Sequence, residues 1–167
     1  AIRLGHSYGF NARSTKASRI ADVESLIEEK VDDVDAVVLH VGINDLKNTD
    51  PTTCSTALVD CVRRLSKKNP DLKIVVSRAS PTPKLKELNA KRELFNAQTF
   101  CHFQNYSNVS FISHENLSSN HCYFKDNLHP SVRGSSVFAG NMGRHLQSLF
   151  WEKPRRRSFR SHGKSYR

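Results

Sequence analysis

Three short apolar runs constrain the fold of this chain: Ala36-Val37-Val38-Leu39, Leu72-Lys73-Ile74-Val75-Val76-Ser77 and Val109-Ser110-Phe111-Ile112. Each is rich in β-branched residues and bounded by turn formers, the pattern of strands in a covered sheet. The first is expected over 36–41. Between them, apolar residues recur at helical spacing. Val23, Leu26 and Ile27 form one stripe of a helix over 21–30, whose Asp22 and Glu24 suit its positive N-terminal end. Asp50-Pro51 opens a second helix, with Ala57, Leu58, Cys61, Val62 and Leu65 at helical spacing to about Lys68, where Asn69-Pro70-Asp71 stops it. A third helix is expected over 84–102 with Leu85, Leu88, Leu94, Phe95 and Phe100 inward. The last runs over 131–150 and carries Val132, Val137, Phe138, Met142, Leu146 and Leu149. Residues 1–4 read as a further short strand, residues 5–17 as polar loop, and residues 113–127 as loop. Strands alternating with helices predict a parallel, right-handed α/β sheet, whose ligand site lies beyond the carboxyl ends of the strands.

The 167 residues suffice for one domain with a proper core, expected over 1–151. The formal charge of +10 is unevenly placed: residues 152–167 hold seven Lys or Arg against one acid, 1–19 four against none, and 20–151 fifteen of each. A neutral body with basic ends follows. No apolar run approaches the length of about eighteen residues that a membrane-spanning helix needs, and the N-terminus lacks the apolar core of a signal peptide, so an intracellular location is expected. Cys54, Cys61, Cys101 and Cys122 have no metal-type spacing. A helix would hold Cys54 and Cys61 about 10 Å apart, too far for a disulfide, so buried free thiols are expected. His40, His102, His114, His121 and His145 lack partner spacing, and no metal site is predicted.

Two polar stretches stand where this scheme places chemistry. In His40-Val41-Gly42-Ile43-Asn44-Asp45 the apolar run stops abruptly, as a strand does when it delivers side chains to a sheet edge. Some eighty residues later, Asp126-Asn127-Leu128-His129-Pro130 puts a carboxylate three residues before an imidazole in a tight turn, with Pro130 suited to a helix start. That spacing lets Asp126 orient His129. Taken singly, His129 also suits a helix cap and Asn44-Asp45 a plain turn.

Together, in this order and separation, the stretches carry a resemblance. Gly42-Ile43-Asn44-Asp45 resembles the third block, and Asp126 to His129 with Pro130 the last block, of the SGNH or GDSL hydrolases, esterases and lipases, and the resemblance implies their three-layer α/β/α, flavodoxin-like fold with a parallel sheet. The similarity extends over about 17–148. Leu39 to Leu46 and Leu128 to Gly134 look most like the esterase-like domains in first-open-reading-frame proteins of LINE-type retrotransposons. The resemblance implies acyl transfer from a small ester or acyl substrate, with no cofactor and no metal. Ser7 would attack the carbonyl, His129 would take and return the proton, and Asp126 would fix the imidazole tautomer. The Asn44 amide would donate to the oxyanion. Ala17, in Ala17-Ser18-Arg19-Ile20-Ala21-Asp22, stands where the family has a glycine whose backbone amide completes the hole, and Gly42 belongs to the same constellation, with close backbone approach as its own explanation.

The first block departs from the pattern. The family places its nucleophile in Gly-Asp-Ser after the first strand, whereas this chain has Gly5-His6-Ser7 after four residues, and only ten positions separate Ser7 from Ala17. Either Ser7 is the nucleophile of a shortened first block, or that block is missing and the domain is a decayed hydrolase that binds other molecules through its ends. A nucleotide-binding flavodoxin-like domain is disfavoured, because no Gly-rich phosphate loop follows a strand.

The tail, residues 152–167, lacks apolar periodicity and is expected to be disordered. Arg155, Arg156, Arg157 and Arg160, with Phe159 and Tyr166 interleaved, suit sequence-independent contact with nucleic acid or anionic lipid. Its plain alternative is a solubilising extension.

Overall fold

The computed structural model describes residues 19–27 and 31–150. The expected strand over 1–4, Ser7, Ala17, the end of the first helix and the basic tail with Arg155, Arg156, Arg157 and Arg160 lie outside the described residues. The elements are α1 (Ala21–Ile27), β1 (Ala36–Leu39), α2 (Pro51–Lys68), β2 (Lys73–Ser77), α3 (Lys86–Phe103), β3 (Val109–Ile112) and α4 (Val132–Phe150).

The strands form a parallel sheet in the order β1-β2-β3. Ala36 pairs with Lys73 and Leu39 with Val76, while Ile74 pairs with Val109 and Ser77 with Ile112. Ile74, Val75 and Val76 are all buried, as a central parallel strand covered on both faces requires. Period-two alternation divides the partners of β2. Ile74 and Val76 join the core that α2 and α3 supply through Leu58, Val62, Leu65, Phe95 and Phe103. Lys73 and Ser77 face α4 instead.

Helix α2 begins where its sequence predicts. The Asp50 carboxylate accepts from Thr53 N at 2.9 Å, and Pro51 occupies the first turn, where its missing N–H is no loss. Its inward stripe is Cys54, Leu58, Cys61, Val62 and Leu65, with Ala57 left at the surface. In α3 the expected inward face is corrected. Leu94 and Phe100 are 48% and 40% exposed, while Arg92, Asn96 and Thr99 are buried beside Phe95 and Phe103. These polar side chains go inside because each has a partner there, Thr99 Oγ1 for example donating to Phe95 O at 2.8 Å and lying 3.3 Å from Ser55 Oγ. Residues 113–127 are also more ordered than a loop. Glu115–Leu117 and Asn120–Cys122 form short 3-10 turns that bury Leu117 and Cys122 against Val137 and Phe138 of α4. Cys101 is exposed rather than buried; Cys54, Cys61 and Cys122 are buried free thiols.

Helix α4 runs antiparallel to the strands. Its middle meets their carboxyl ends, where Asn141 Nδ2 lies 3.2 Å from His114 Nδ1 and His114 Nε2 lies 2.8 Å from Ser77 Oγ. Further along, His145 Nε2 reaches Ser110 Oγ at 2.9 Å, and at the far end Leu149 O accepts from Lys73 Nζ, whose ammonium also sits 4.5 Å from the centre of the Phe150 ring. The start of α4 is packed too tightly for any side chain at Gly134, where a Cβ would stand 2.0 Å from Cys122 O. Val132, expected inward, is 81% exposed because that first turn rests on backbone.

The polar seam has a direction. Arg144 can only donate, and it donates to Asn141 Oδ1 at 2.7 Å, which turns the Asn141 amide nitrogen toward His114. His114 Nδ1 therefore accepts, its Nε2–H donates to Ser77 Oγ, and Ser77 is left to donate to His40 Nδ1 at 3.0 Å. Phe138 stacks on His114 with ring centroids 4.2 Å apart. Burial pushes the His114 imidazole down to about 4, with the neighbouring His40 ring adding to the shift. An unfolded chain carries this group near 6.5. Between those values the unfolded state binds more protons, so the contribution to stability is complete above about pH 6.5 and is lost as pH falls toward 4. Thermal unfolding across that window should show the loss in the native chain and a flatter profile in His114→Asn; parallel profiles would remove His114 as the cause. Gly134→Ala should destabilise the fold by about 2 kcal/mol or more in urea titration. Gly140→Ala, whose Cβ would meet only the end of the Arg144 side chain at 3.2 Å, should stay within about 1 kcal/mol.

Candidate active site

Asp126 and His129 are brought together by a hairpin over 122–131. Phe124 N donates to His129 O at 2.9 Å and Ser131 N to Cys122 O at 2.8 Å, on either side of the opposed pair Tyr123 and Pro130. Asn127, at φ 57°, takes the left-handed conformation that turns the chain, one that Asn tolerates. Within the turn the Asp126 carboxylate is fully engaged. Oδ1 accepts from Leu128 N and His129 N at 2.9 and 3.0 Å, and Oδ2 lies 2.6 Å from His129 Nδ1. The Leu128 amide first, then the His129 imidazole and the His129 amide, hold the carboxyl down to about 2. His129 thus directs Nδ1 at a carboxylate and leaves Nε2 free of it. Its side chain is 72% exposed, open to an incoming molecule.

The hairpin is fixed to the rim of the sheet. Tyr123 points inward, and its hydroxyl donates to Pro81 O in the loop after β2. Burial pushes this phenol up to about 12, so it remains a donor. That loop is held from α3. Asn96 exchanges two 3.0 Å hydrogen bonds with the backbone of Ala79, and Thr82 N donates to Asn89 Oδ1 at 3.0 Å. Arg92 Nη1 reaches Ala79 O at 3.3 Å and Glu115 Oε1 at 2.8 Å, joining the loops after β2 and β3. Sequence reading missed Tyr123, Arg92 and Asn96. The available signal was the spacing of Arg92, Asn96, Thr99 and Phe103, one helical stripe interrupted by polar residues.

The turn after β1 carries Asn44. Leu46 N donates to Gly42 O at 2.9 Å and Thr49 N to Asp45 O at 3.0 Å, forming a compact turn with Leu46 buried and Asn44 at the surface. Gly42 has φ 109°, and a Cβ there would approach the Phe95 ring to 2.8 Å, so both conformation and space require glycine. Asp45 is part of the scaffold: its Oδ2 accepts from Ile20 N at 3.3 Å, and burial pushes its carboxyl up. A cleft of about 350 Å³ between α1 and α2, lined by Ile20, Asp45, Cys54 and Cys61 among others, excludes both Asp126 and His129. Of the expected site residues, Asp126 and His129 are therefore in contact, Asn44 and Gly42 share the turn at the end of β1, and Ser7 and Ala17 fall outside the described residues. Among the described residues no three His, Cys, Asp or Glu side chains gather as a metal site, and no helix is long and apolar enough to cross a membrane.

Solved structures with the same fold include an acetyl esterase mutant with acetate ion, 20% identical, with TM-score 0.67 over 78% of this chain and 67% of that one. A carbohydrate esterase family 3 protein from Talaromyces cellulolyticus is 19% identical, with TM-score 0.65 over 78% and 67%. A GDSL-like lipase from Bacteroides thetaiotaomicron is 17% identical, with TM-score 0.69 over 87% and 79%. No curated protein matches the sequence. The sequence itself matches the GDSL-like Lipase/Acylhydrolase family over residues 3–137, a span holding both polar stretches, and so this chain belongs to that family of ester-hydrolysing enzymes.

Proposed function

We propose that the chain hydrolyses a carboxylic ester through a serine, histidine and aspartate relay, with Asn44 in the oxyanion hole. The observation that carries this reading is the 2.6 Å contact between His129 Nδ1 and Asp126 Oδ2. With Nδ1–H committed to the carboxylate, Nε2 is the basic nitrogen and faces outward for a hydroxyl. In the proposed reaction Ser7 Oγ attacks the ester carbonyl as His129 Nε2 takes its proton. The tetrahedral oxyanion collapses to an acyl-serine, and the same proton passes to the departing alkoxide. Water then enters with His129 again as base, the acid leaves, and Ser7 is restored. Asp126 stays ionised throughout and stabilises the imidazolium. The Asn44 amide, with the backbone N–H groups of Ala17 and Ser7, would receive the oxyanion, each such donor contributing on the order of 3 kcal/mol to the transition state. Acyl transfer of this type calls for no cofactor.

A second reading concerns the tail and adds to the first. Seven Lys or Arg in residues 152–167 suit a phosphate backbone, and the likeness of 39–46 and 128–134 to retrotransposon esterase-like domains favours nucleic acid as its partner. Helix α4 spans 19 residues, about 28 Å, and its far end at Phe150 lies by Lys73 at the start of β2, at the pole opposite His129. RNA binding through Arg155, Arg156, Arg157 and Arg160 should weaken steeply with salt while ester hydrolysis does not.

Hydrolysis of a short-chain nitrophenyl ester is the direct test. Ser7→Ala, His129→Ala and Asp126→Asn should each lower kcat/KM at least about a hundredfold without loss of folding. Asn44→Ala should lower kcat by about a hundredfold with little change in KM. Activity that survives Ser7→Ala but not His129→Ala would move the nucleophile to another serine, and a folded native chain without activity above background would overturn the hydrolase reading.

A further inference from the structure

Strand β3 is the outer strand of the sheet among the described residues, and its free edge is unguarded. Ile74 N donates to Asn108 O and Arg78 N to Ile112 O, so residues 108, 110 and 112 turn their backbone groups toward β2. Alternation then points the N–H and C=O of Phe111 away from the sheet, and neither has a partner among the described residues. Such edges are commonly blunted by lysine, proline or a bulge. Val109-Ser110-Phe111-Ile112 has none of these, and its pairing with β2 is uninterrupted.

The two faces beside this edge differ in shape and share a charge. On the α3 face, Phe111 packs against the exposed Phe100 with ring centroids 5.2 Å apart, and the Arg78 guanidinium lies 5.5 Å from the Phe100 ring centre. On the α4 face, a groove of about 300 Å³ runs beside Phe111, Ile112 and Ser113, with Asn141, Arg144 and His145 as its other wall. Arg144 is exposed, and its Nη2 donates to Asn141 Oδ1 at 2.7 Å. Arg78 Nε is buried without a hydrogen-bond partner among the described residues. Neither guanidinium has a carboxylate partner there, because Glu93 and Glu115 are taken by Arg92. The edge therefore lies in a positive field from both sides.

A phosphate-bearing ligand would meet these arginines and leave Phe111 O facing an anion. An extended peptide satisfies the whole edge: its N–H and C=O groups pair with those of Phe111, and its side chains alternate between the two faces. We propose that β3 receives an extended acidic peptide segment of a partner protein as a further strand, with apolar side chains against Phe100 and Phe111 and carboxylates in the groove beside Arg144. This edge lies across the sheet from β1 and its Asn44 turn, so the docking does not depend on the hydrolase reading.

The test uses the full chain with an acetylated and amidated peptide of alternating Glu and Val, beside its counterpart of alternating Lys and Val. Saturating Glu-Val peptide should slow hydrogen exchange of the Phe111 amide at least tenfold and leave the amides of Ser110 and Ile112, already bonded to β2, unchanged. By fluorescence anisotropy the Lys-Val peptide should bind at least tenfold more weakly, and Arg78→Gln with Arg144→Gln should weaken the Glu-Val peptide at least tenfold in a chain that still unfolds cooperatively. Phe111→Pro removes the outward N–H, a change that edge strands accommodate, and should bind at least tenfold more weakly than Phe111→Val, which keeps it. Hydrogen exchange needs no substitution and decides the matter if Phe111→Pro unfolds the sheet. Equal binding of the two peptides, binding without protection of Phe111, or no binding at all would each overturn the proposal. So would protection of Phe111 that rises with protein concentration in the absence of peptide, which would give the edge to a second copy of the chain.

Discussion

The hairpin that carries Asp126 and His129 depends on one close contact, that between Gly134 and the carbonyl of Cys122. Cys122 O accepts from Ser131 N at 2.8 Å and lies where a Cβ on Gly134 would be, so the first turn of α4 is seated directly on the hairpin backbone. Ser131 completes the joint: its hydroxyl donates to His121 O at 2.8 Å and accepts from Gly134 N at 3.2 Å, capping the helix while holding the strand before it. A strand end, a turn and a helix start thus share one rigid corner. Asp126 and His129 inherit their position from it, and the buried Tyr123 fixes its distance from the loop after β2.

The opposite face of the sheet explains which sequence signals were readable. Where α2 and α3 cover β1 and β2, the contact is mostly apolar, so the strands and the bounds of α2 stood out as periodic runs. Where α4 covers β2 and β3, the contact is made by Ser77, Ser110, His114, Asn141 and His145, with Gly134 left no room for a side chain by Cys122 O. An apolar count is blind to such a seam. It assigned Val132 inward because the pattern continued through it, although the helix there rests on backbone rather than on side chains. The same blindness reversed part of α3, where Arg92 and Asn96 are buried because Ala79, Asn89 and Glu115 satisfy them. Leu94 and Phe100 then face outward, Phe100 lying against Phe111 with the Arg78 guanidinium 5.5 Å from its ring centre.

The candidate site was more legible than the packing that supports it. Asp126 and His129 interact across three residues, so their spacing alone specifies the contact, and Pro130 marks where the turn must end. Gly42 was legible for a related reason, since its positive φ and the adjacent Phe95 ring are local demands on one residue. The roles of Tyr123 and Arg92 depend on partners 42 and 23 residues away, and no local spacing encodes those distances.

The two halves of the candidate site are stabilised by separate means. The dyad is closed within its own turn: two backbone amides and the imidazole hold the Asp126 carboxyl down to about 2 while the groups remain exposed. The Asn44 turn depends on the body of the domain, through Gly42 against Phe95 and through the Asp45 carboxylate on Ile20 N. Substitution at Asp126 or His129 thus acts within the hairpin, whereas substitution at Gly42 or Asp45 acts through the body of the domain.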